Sequence, residues 1–152
     1  MKWFTRKWAT GQHSEGASKA VMSRYFDHLN SILMHLTEDV DDDLIVNVNI
    51  HDGHVKRWRQ TDDSIELEIV AGDLQSGYKR ILLTFGHATL TAPPSIDELN
   101  LGHPRTELLY DEFDVVSEDI FEYRVLVWPT GELVIQFRSL KVQISDAAAS
   151  DW

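Results

Sequence analysis

The first pattern along the chain is a broad apolar stripe with helical spacing over residues 15–36. Apolar side chains recur at intervals of three and four residues, and polar side chains fall on the opposite side. Ser14 suits an N-cap, and Glu15 complements the positive end of a helix dipole. The pattern predicts one long helix over 15–36, preceded by an N-terminal arm or strand over 1–13.

The N-terminal arm is rich in aromatic residues, with Trp3, Phe4 and Trp8 close together. Each such side chain represents a large apolar area that is unfavourable to leave in water. Two interpretations follow. The arm packs on the core, or it supplies an apolar patch to an interface.

After Leu44 the apolar period changes to two, which is typical of β-strands. Turns rich in Asp, Gly and Pro separate the predicted strands, which are 44–51, 54–60, 64–71, 78–90, 107–116, 120–128 and 132–144. One long connection, over 91–106, is rich in Pro and Gly. Because the other connections are short, consecutive strands are expected to pair as antiparallel hairpins.

The alternation also indicates which strand faces are buried. In 64–71, apolar and acidic residues alternate, as in an antiparallel strand with one covered face. Residues 81–83 and 125–128 are apolar on both faces. These two segments are predicted to lie at the centre of the sheet.

These elements predict an α+β fold in a single domain over residues 1–152. One long N-terminal helix packs on a bent, mainly antiparallel meander sheet of about six to eight strands. The sheet spans 44–144, and residues 146–152 form a tail that frays.

The first predicted hairpin allows its register to be derived. A bulged three-residue loop at 51–53 keeps one face apolar and places Asn47 opposite Arg57. This register predicts that Trp58 lies in the core and that Arg57 and Arg59 are exposed.

Composition narrows the class of protein. With no cysteine in 152 residues, disulfides, Cys-ligated zinc, iron–sulfur clusters and thiol nucleophiles are excluded. A net charge of −11 argues against nucleic acid and anionic membranes as partners. The basic residues near the N-terminus precede no apolar signal region, and no segment approaches the roughly 18–20 apolar residues of a membrane span. The sequence therefore predicts a cytoplasmic protein.

The negative charge is unevenly distributed. Residues 1–59 carry eight basic and eight acidic side chains, whereas 60–152 carry six basic and seventeen acidic ones. Nine of these acids fall within 97–122, together with Arg105 as the one basic residue. Two interpretations are open: a solvated face that keeps the protein in solution, and a docking surface for a basic partner that the acidic run 38–43 adjoins.

Few motifs point to chemistry. His51 and His54 flank a turn carboxylate, but no third ligand has a fixed spacing, so an exposed turn is favoured over a metal site. The run 38–43 lacks the Gly and Glu that an EF-hand requires. The basic cluster 56–59, which contains a Trp, is interpreted as a basic edge rather than a nucleic-acid site. No catalytic residue, metal or cofactor is predicted, and the sequence favours a non-enzymatic protein.

Residues 1–8, MKWFTRKW, resemble the opening of an uncharacterised family of small bacterial proteins that begin with an MKxFT-type segment. Segments 108–113, 123–127 and 132–133 are similar to later parts of the same family. The resemblance implies antiparallel strands in the C-terminal half and assigns no activity. In general character, as a small, acidic, cysteine-free α+β protein, the chain also resembles immunity proteins that neutralise bacterial toxins.

The favoured function is a non-enzymatic acidic binding protein, most concretely a bacterial immunity or inhibitor protein that docks a basic protein partner through an acidic face. The residues predicted to bind that partner are Tyr110, Asp111, Glu112, Phe113, Asp114, Glu118 and Asp119. The alternative is a small-ligand carrier or His-containing hydrolase with a pocket between helix and sheet, its polar groups supplied by His51, His54, His87 and His103. A homodimer formed by sheet-edge pairing is a third interpretation.

Overall fold

The computed structural model describes residues 1–46, 48–93 and 95–152. Asn47, with its predicted pairing to Arg57, and Pro94 of the predicted long loop lie outside the described residues. The described chain has one main helix and eight antiparallel strands, so the predicted α+β class is confirmed.

The helices are α1 (Arg6–Ala9), α2 (Glu15–Leu33) and α3 (Asp43–Val46), with short 3-10 turns at Ile96–Leu99 and Ala149–Asp151. α2 begins as predicted, because the Ser14 hydroxyl accepts a hydrogen bond from the Ala17 N–H at 3.3 Å. It ends three residues before the predicted boundary at 36. The His35 N–H bonds to the Ile32 carbonyl at 2.7 Å, which tightens the last turn and ends the helix. In the described part of the chain, no helix combines the length and apolar character needed to cross a membrane.

The strands are β1 (His54–Gln60), β2 (Ser64–Asp73), β3 (Gly77–Gly86), β4 (Thr89–Ala92), β5 (Glu107–Ser117), β6 (Ile120–Trp128), β7 (Glu132–Phe137) and β8 (Ser139–Ala147). They form two four-stranded sheets, with strand orders β1-β2-β3-β8 and β4-β7-β6-β5. β3 and β6 each have a neighbour on both sides. The prediction that segments 81–83 and 125–128 lie at sheet centres is therefore confirmed.

The predicted single sheet is wrong in one respect: the strands form two sheets, because two long predicted strands bend. Segment 78–90 bends between β3 and β4, and segment 132–144 bends at Arg138 between β7 and β8. β3 pairs with β8 and β4 pairs with β7, so both bends occur at the same level. The two strands approach each other closely at the bends, since a Cβ added to Gly86 of β3 would lie 2.3 Å from the Oγ of Ser139 in β8. The pair of bent strands thus connects the two sheets.

The core lies between the sheets. The inward faces of β2, β3, β6 and β7 supply most of its fully buried apolar side chains. Phe85 of β3 packs against Tyr123 of β6 and Phe137 of β7, with ring centroids 5.7 and 5.0 Å apart. At another point the sheets meet through a backbone hydrogen bond of 2.8 Å from the Leu108 N–H to the Gly53 carbonyl.

The predicted strand 44–51 is wrong. Asp43–Val46 forms α3 instead, and the Asp41 carboxylate accepts a hydrogen bond from the Asp43 N–H at 3.1 Å. A side chain that accepts from the backbone two residues on starts a helical turn in place of a strand. An apolar residue of this segment is nevertheless buried, since Ile50 is 1% exposed.

Without that strand, the predicted first hairpin does not form. β1 pairs with β2, and Trp58 lies opposite Leu67. Trp58 is half-buried against the core, while Arg57 and Arg59 are exposed as predicted. The facing directions were correct because the alternation within β1 determines them. The expected hairpin between 54–60 and 64–71 is confirmed, whereas the expected partner 44–51 was wrong because that segment begins as α3.

Both chain ends pack on the protein. Phe4 is buried, and Trp3 and Trp8 are partly buried against the core. At the other end, β8 continues to Ala147, and the Trp152 ring packs on His54 with centroids 4.8 Å apart. These contacts extend the strand and the packing into 146–152, and the prediction that this tail frays stays a prediction.

Candidate functional site

The residues predicted to bind a partner lie on β5 and in the turn that follows it: Tyr110, Asp111, Glu112, Phe113, Asp114, Glu118 and Asp119. Glu118 and Asp119, in the turn, are exposed, whereas Glu112, Phe113 and Asp114 are buried. Because successive side chains of a strand point to opposite faces, Glu112 and Asp114 share one face of β5, and Asp111 and Phe113 share the other. The strand therefore places its carboxylates in two different environments.

The carboxylate of Glu112 holds the N-terminal arm. It is 0% exposed and accepts backbone hydrogen bonds from Lys2, Trp3 and Phe4 at 2.7, 2.6 and 2.7 Å. Three donors converging on one carboxylate satisfy most of its lone pairs. Glu112 thus acts within the chain and presents no charge to a partner.

The carboxylate of Asp114 likewise pairs with groups of its own chain. It pairs with the Lys2 ammonium, with Arg124 Nη1 at 3.3 Å and with His28 Nε2 at 3.1 Å. Burial raises its pKa, but the hydrogen bond and charge of Lys2 outweigh burial, so the pKa lies below its ordinary value. Arg124 also pairs with Glu122. Three of the nine acids in 97–122 are therefore buried and neutralised inside the protein.

Helix α2 contacts the open edge of β5, which is the last strand of its sheet. The Tyr25 hydroxyl accepts a hydrogen bond of 2.8 Å from the Phe113 N–H. His28, one turn further along, reaches Asp114. An edge strand leaves backbone donors unpaired, and Tyr25 satisfies one of them.

A cavity of about 170 Å³ lies between α2, the N-terminal arm and β5. Five aromatic side chains form most of its wall: Phe4, Tyr25, Phe26, Tyr110 and Phe113. Leu29, Ile45 and Val48 add aliphatic surface, and Asp111 contributes a carboxyl group. Phe26 is 56% exposed, so it marks the side on which the cavity meets solvent.

Burial raises the pKa of Asp111 from its ordinary value of 3.8 to about 7. That value includes a smaller upward contribution from the charge of Glu112 and a downward one from the Tyr123 hydroxyl. Tyr123 is itself fully buried, and among the described residues no group meets its hydroxyl at hydrogen-bond geometry. The phenol therefore lies close to Asp111 without a well-formed hydrogen bond.

Replacing Asp111 by asparagine should change how stability depends on pH. The folded-state pKa lies above the unfolded value, so the proton on Asp111 stabilises the fold at low pH, and this contribution is lost as pH rises towards about 7. Relative to wild type, Asp111→Asn should gain about 2 kcal/mol between about pH 4 and pH 8, less than the full shift implies because the side chain is partly exposed. Urea denaturation at each pH measures this gain. Asp27→Asn, at an exposed position of α2, should show no such gain, and equal behaviour of the two variants would contradict the assignment.

The exposed acids gather elsewhere, at one end of the molecule. Six exposed carboxylates from three loops form what we call the acidic end: Glu38, Asp39, Asp62, Asp63, Glu118 and Asp119. Asp63 reaches His87 at 2.8 Å, and His87, Asp39, Asp119 and Arg138 line one cavity of about 300 Å³. The predicted proximity of the run 38–43 to residues 118–119 is thus observed for Asp39 and Asp119.

The two exposed acids Asp97 and Glu98 lie far from the acidic end. They belong to the 3-10 turn that ends at Leu99, and a Cβ added to Gly131 would lie 2.3 Å from the Leu99 side chain. Gly131 follows the end of β6, whereas Asp119 precedes its start. The nine-residue length of β6, at roughly 3.3 Å per residue, separates the two groups by about 25 Å. The acids of 97–122 therefore do not form one surface.

The four histidines proposed for a ligand site have separate partners. His51 contacts Tyr110 Oη at 3.1 Å, His54 Nδ1 donates to the Thr106 carbonyl at 3.0 Å, and His87 pairs with Asp63. His103 Nδ1 accepts from the Arg105 N–H at 3.1 Å. Within the described ranges, no three of these side chains bring ligand atoms together.

Asp41, Asp42 and Asp43 have ligand atoms within 4.8 Å of one another. Asp41 is already engaged with backbone donors, accepting from the N–H groups of Asp43 and of Val142 at 3.1 and 3.2 Å. Its carboxylate therefore serves to join this segment to β8.

A larger cleft of about 300 Å³ lies beside β3, where Lys79 and Asp52 are among the lining residues. Its charged groups have partners within the chain: Lys79 pairs with Asp146 at 2.5 Å and Asp52 with His51 at 3.0 Å. The other acid of the lining, Asp73, accepts backbone hydrogen bonds from Gln75 and Ser76. The cleft thus offers no unmatched group comparable to Asp111.

The sequence interpretation missed the burial of Glu112 and Asp114. A signal was present, since strict alternation over 110–114 separates these two acids from Asp111 and Phe113. The aromatic arm with Lys2 also required a surface to cover. What the sequence could not show is that the arm reaches β5, more than 100 positions later in the chain.

Comparison with protein-family models, with curated proteins and with solved structures finds no match to this chain. The resemblance to the bacterial family with an MKxFT-type opening stays a prediction.

Proposed function

We propose that the protein is a non-enzymatic binding protein that docks a basic protein partner through the acidic end. The observation that carries this proposal is that three loops far apart in sequence meet at one cavity: Asp39 and Asp119 line it, and Asp63 pairs with His87, which also lines it. Each of these three acids has a second exposed carboxylate beside it in sequence. An inhibitor or immunity protein that covers a positively charged surface of its target is the most concrete form of this function.

The charges of the acidic end are largely unmatched within the chain. Among the described residues, Asp39, Glu118 and Asp119 have no ion pair, and Asp63 pairs with His87 alone. Arg138 is the one arginine that lines the cavity of this end. Carboxylates that lack cations in their own chain produce a field that attracts a basic partner.

The acidic end replaces β5 as the docking surface. Of the predicted binding residues, Glu118 and Asp119 remain in it, while Glu112 and Asp114 hold the N-terminal arm. The mechanism is electrostatic steering of the partner, followed by close contact with the cavity between residues 37–39 and 118–119.

Neutralising part of the acidic end should weaken binding of a synthetic oligolysine peptide. The variant Asp39→Asn/Glu118→Gln/Asp119→Asn loses three exposed charges that converge. Since each exposed charge pair contributes about 0.2–1 kcal/mol, affinity at low salt should fall about tenfold. Calorimetric titration at about 50 mM and 500 mM salt measures the affinity and shows how far salt weakens it by screening the charges.

The matched control is Asp27→Asn/Asp97→Asn/Glu98→Gln, which changes net charge equally at exposed positions away from the acidic end. Its affinity should stay within about threefold of wild type. Equal weakening of both variants would show that binding follows net charge alone and would contradict the proposal. Crosslinked partners from the source cell should likewise be retained by the control and lost by the acidic-end variant.

A further inference from the structure

Asp111 differs from its buried carboxylate neighbours in lacking a cation. Glu112, Asp114 and Glu122 all lie within 4 Å of Arg124. For Asp111, no ion pair exists among the described residues. Asp111 is half-buried. A carboxylate that has lost part of its contact with water and has no cation beside it is unfavourable, so this group either keeps its proton or requires a positive charge from outside the chain.

The cavity beside Asp111 has walls suited to an organic cation. Rings from the arm, the helix and the strand surround it, including Phe4, Tyr25 and Tyr110. The face of an aromatic ring attracts a cation within about 6 Å of its centroid, and cages of several aromatic rings bind quaternary ammonium and methyl-lysine ligands. The charge and the shape of this site therefore favour the same kind of molecule.

We propose that this cavity binds a small organic ammonium ion, with the carboxylate of Asp111 as its counter-ion and the aromatic rings as its walls. The volume of about 170 Å³ matches a single-ring ligand, since engineered apolar cavities of about 150 Å³ hold benzene. The ligand enters beside the exposed ring of Phe26.

The Tyr123 hydroxyl supports this assignment. It is a buried polar group without a hydrogen-bond partner in the described chain, and it lies close to the Asp111 carboxyl. Native proteins rarely leave such a group unpaired. When a bound cation keeps Asp111 ionised, the carboxylate becomes a strong acceptor for the Tyr123 proton.

Benzylammonium and benzyl alcohol form a matched pair of probes, because they share a ring and differ in charge. At about pH 8 an alkylammonium keeps its proton. NMR titration of the full chain should show benzylammonium binding about tenfold or more tightly than benzyl alcohol, because a hydrogen bond to a charged group adds to the ring contacts. The shifted resonances should include those of Tyr25 and Phe113.

Asp111→Asn should lower the affinity for benzylammonium about tenfold and leave that for benzyl alcohol within about threefold. Val48→Trp, at a half-buried position of the lining, should fill the cavity and abolish both. Equal affinity of wild type for the two probes, or an equal response of both to Asp111→Asn, would overturn the proposal. So would the absence of any shift with benzylammonium at millimolar concentration.

This site is separate from the acidic end. Asp111→Asn should leave oligolysine binding unchanged, and the acidic-end variant should bind benzylammonium as wild type does. Failure of one proposal is therefore distinguishable from failure of the other.

Discussion

Replacing Glu112 by alanine should lower the free energy of unfolding by about 3–5 kcal/mol, because it breaks a fully buried charge network. The change leaves the N–H groups of Lys2, Trp3 and Phe4 without an acceptor. The arm then either keeps three unsatisfied donors or detaches and exposes the Phe4 ring. Urea denaturation measures the loss, and tryptophan emission should shift to longer wavelength if Trp3 and Trp8 of the arm become exposed to water.

Glu118→Ala is the matched control, since it removes the same charge from an exposed position of the turn after β5. Its effect should stay within about 0.5 kcal/mol. Glu112→Gln should fall between the two, because its amide retains one oxygen for the Trp3 and Phe4 donors. Wild-type stability in Glu112→Ala would show that the arm is not coupled to the fold.

Replacing Phe85 by alanine should also lower the free energy of unfolding by about 3–5 kcal/mol. Phe85 is 0% exposed, and it contacts Tyr123 and Phe137 of the other sheet. The lost ring leaves a cavity between the sheets that neighbouring side chains fill only partly. Circular dichroism in the far and near ultraviolet should report a single shared transition at lower urea concentration.

Phe26→Ala removes the same side chain from a position that is 56% exposed. It should cost no more than about 1 kcal/mol, since little of that ring is taken from water on folding. If the two substitutions had equal effects, or if the sheets of Phe85→Ala unfolded in separate transitions, the role of Phe85 in joining the sheets would be contradicted.

Local patterns predicted the elements whose formation depends on neighbours in sequence. The start of α2 follows from Ser14, and β6 follows from an apolar run between two turns. The predicted strand 44–51 was wrong because the Asp41 carboxylate accepts a hydrogen bond from the Asp43 N–H and so favours a helical turn. The spacing of apolar residues cannot show that a side-chain hydrogen bond competes with strand formation.

In the candidate sites, too, the sequence predicted what depends on neighbouring residues and missed what depends on distant ones. The sequence located the acidic residues and separated the faces of β5 by alternation. It could not show that Glu112 and Asp114 contact the N-terminal arm, that Asp111 lines a cavity, or that Asp39 and Asp119 line another.

The sequence alone thus determined the secondary structure of most of the chain, the α+β class and the total charge, because these depend on local periodicity and composition. The tertiary structure decided which charged side chains are buried in ion pairs and which are exposed. Two bends split the sheet in two, the arm and Arg124 hold three of the nine acids inside the protein, and two of the others, Glu118 and Asp119, lie with acids of other loops at the acidic end. Burial and ion pairing join residues far apart in the chain, and only the folded path fixes which of them meet.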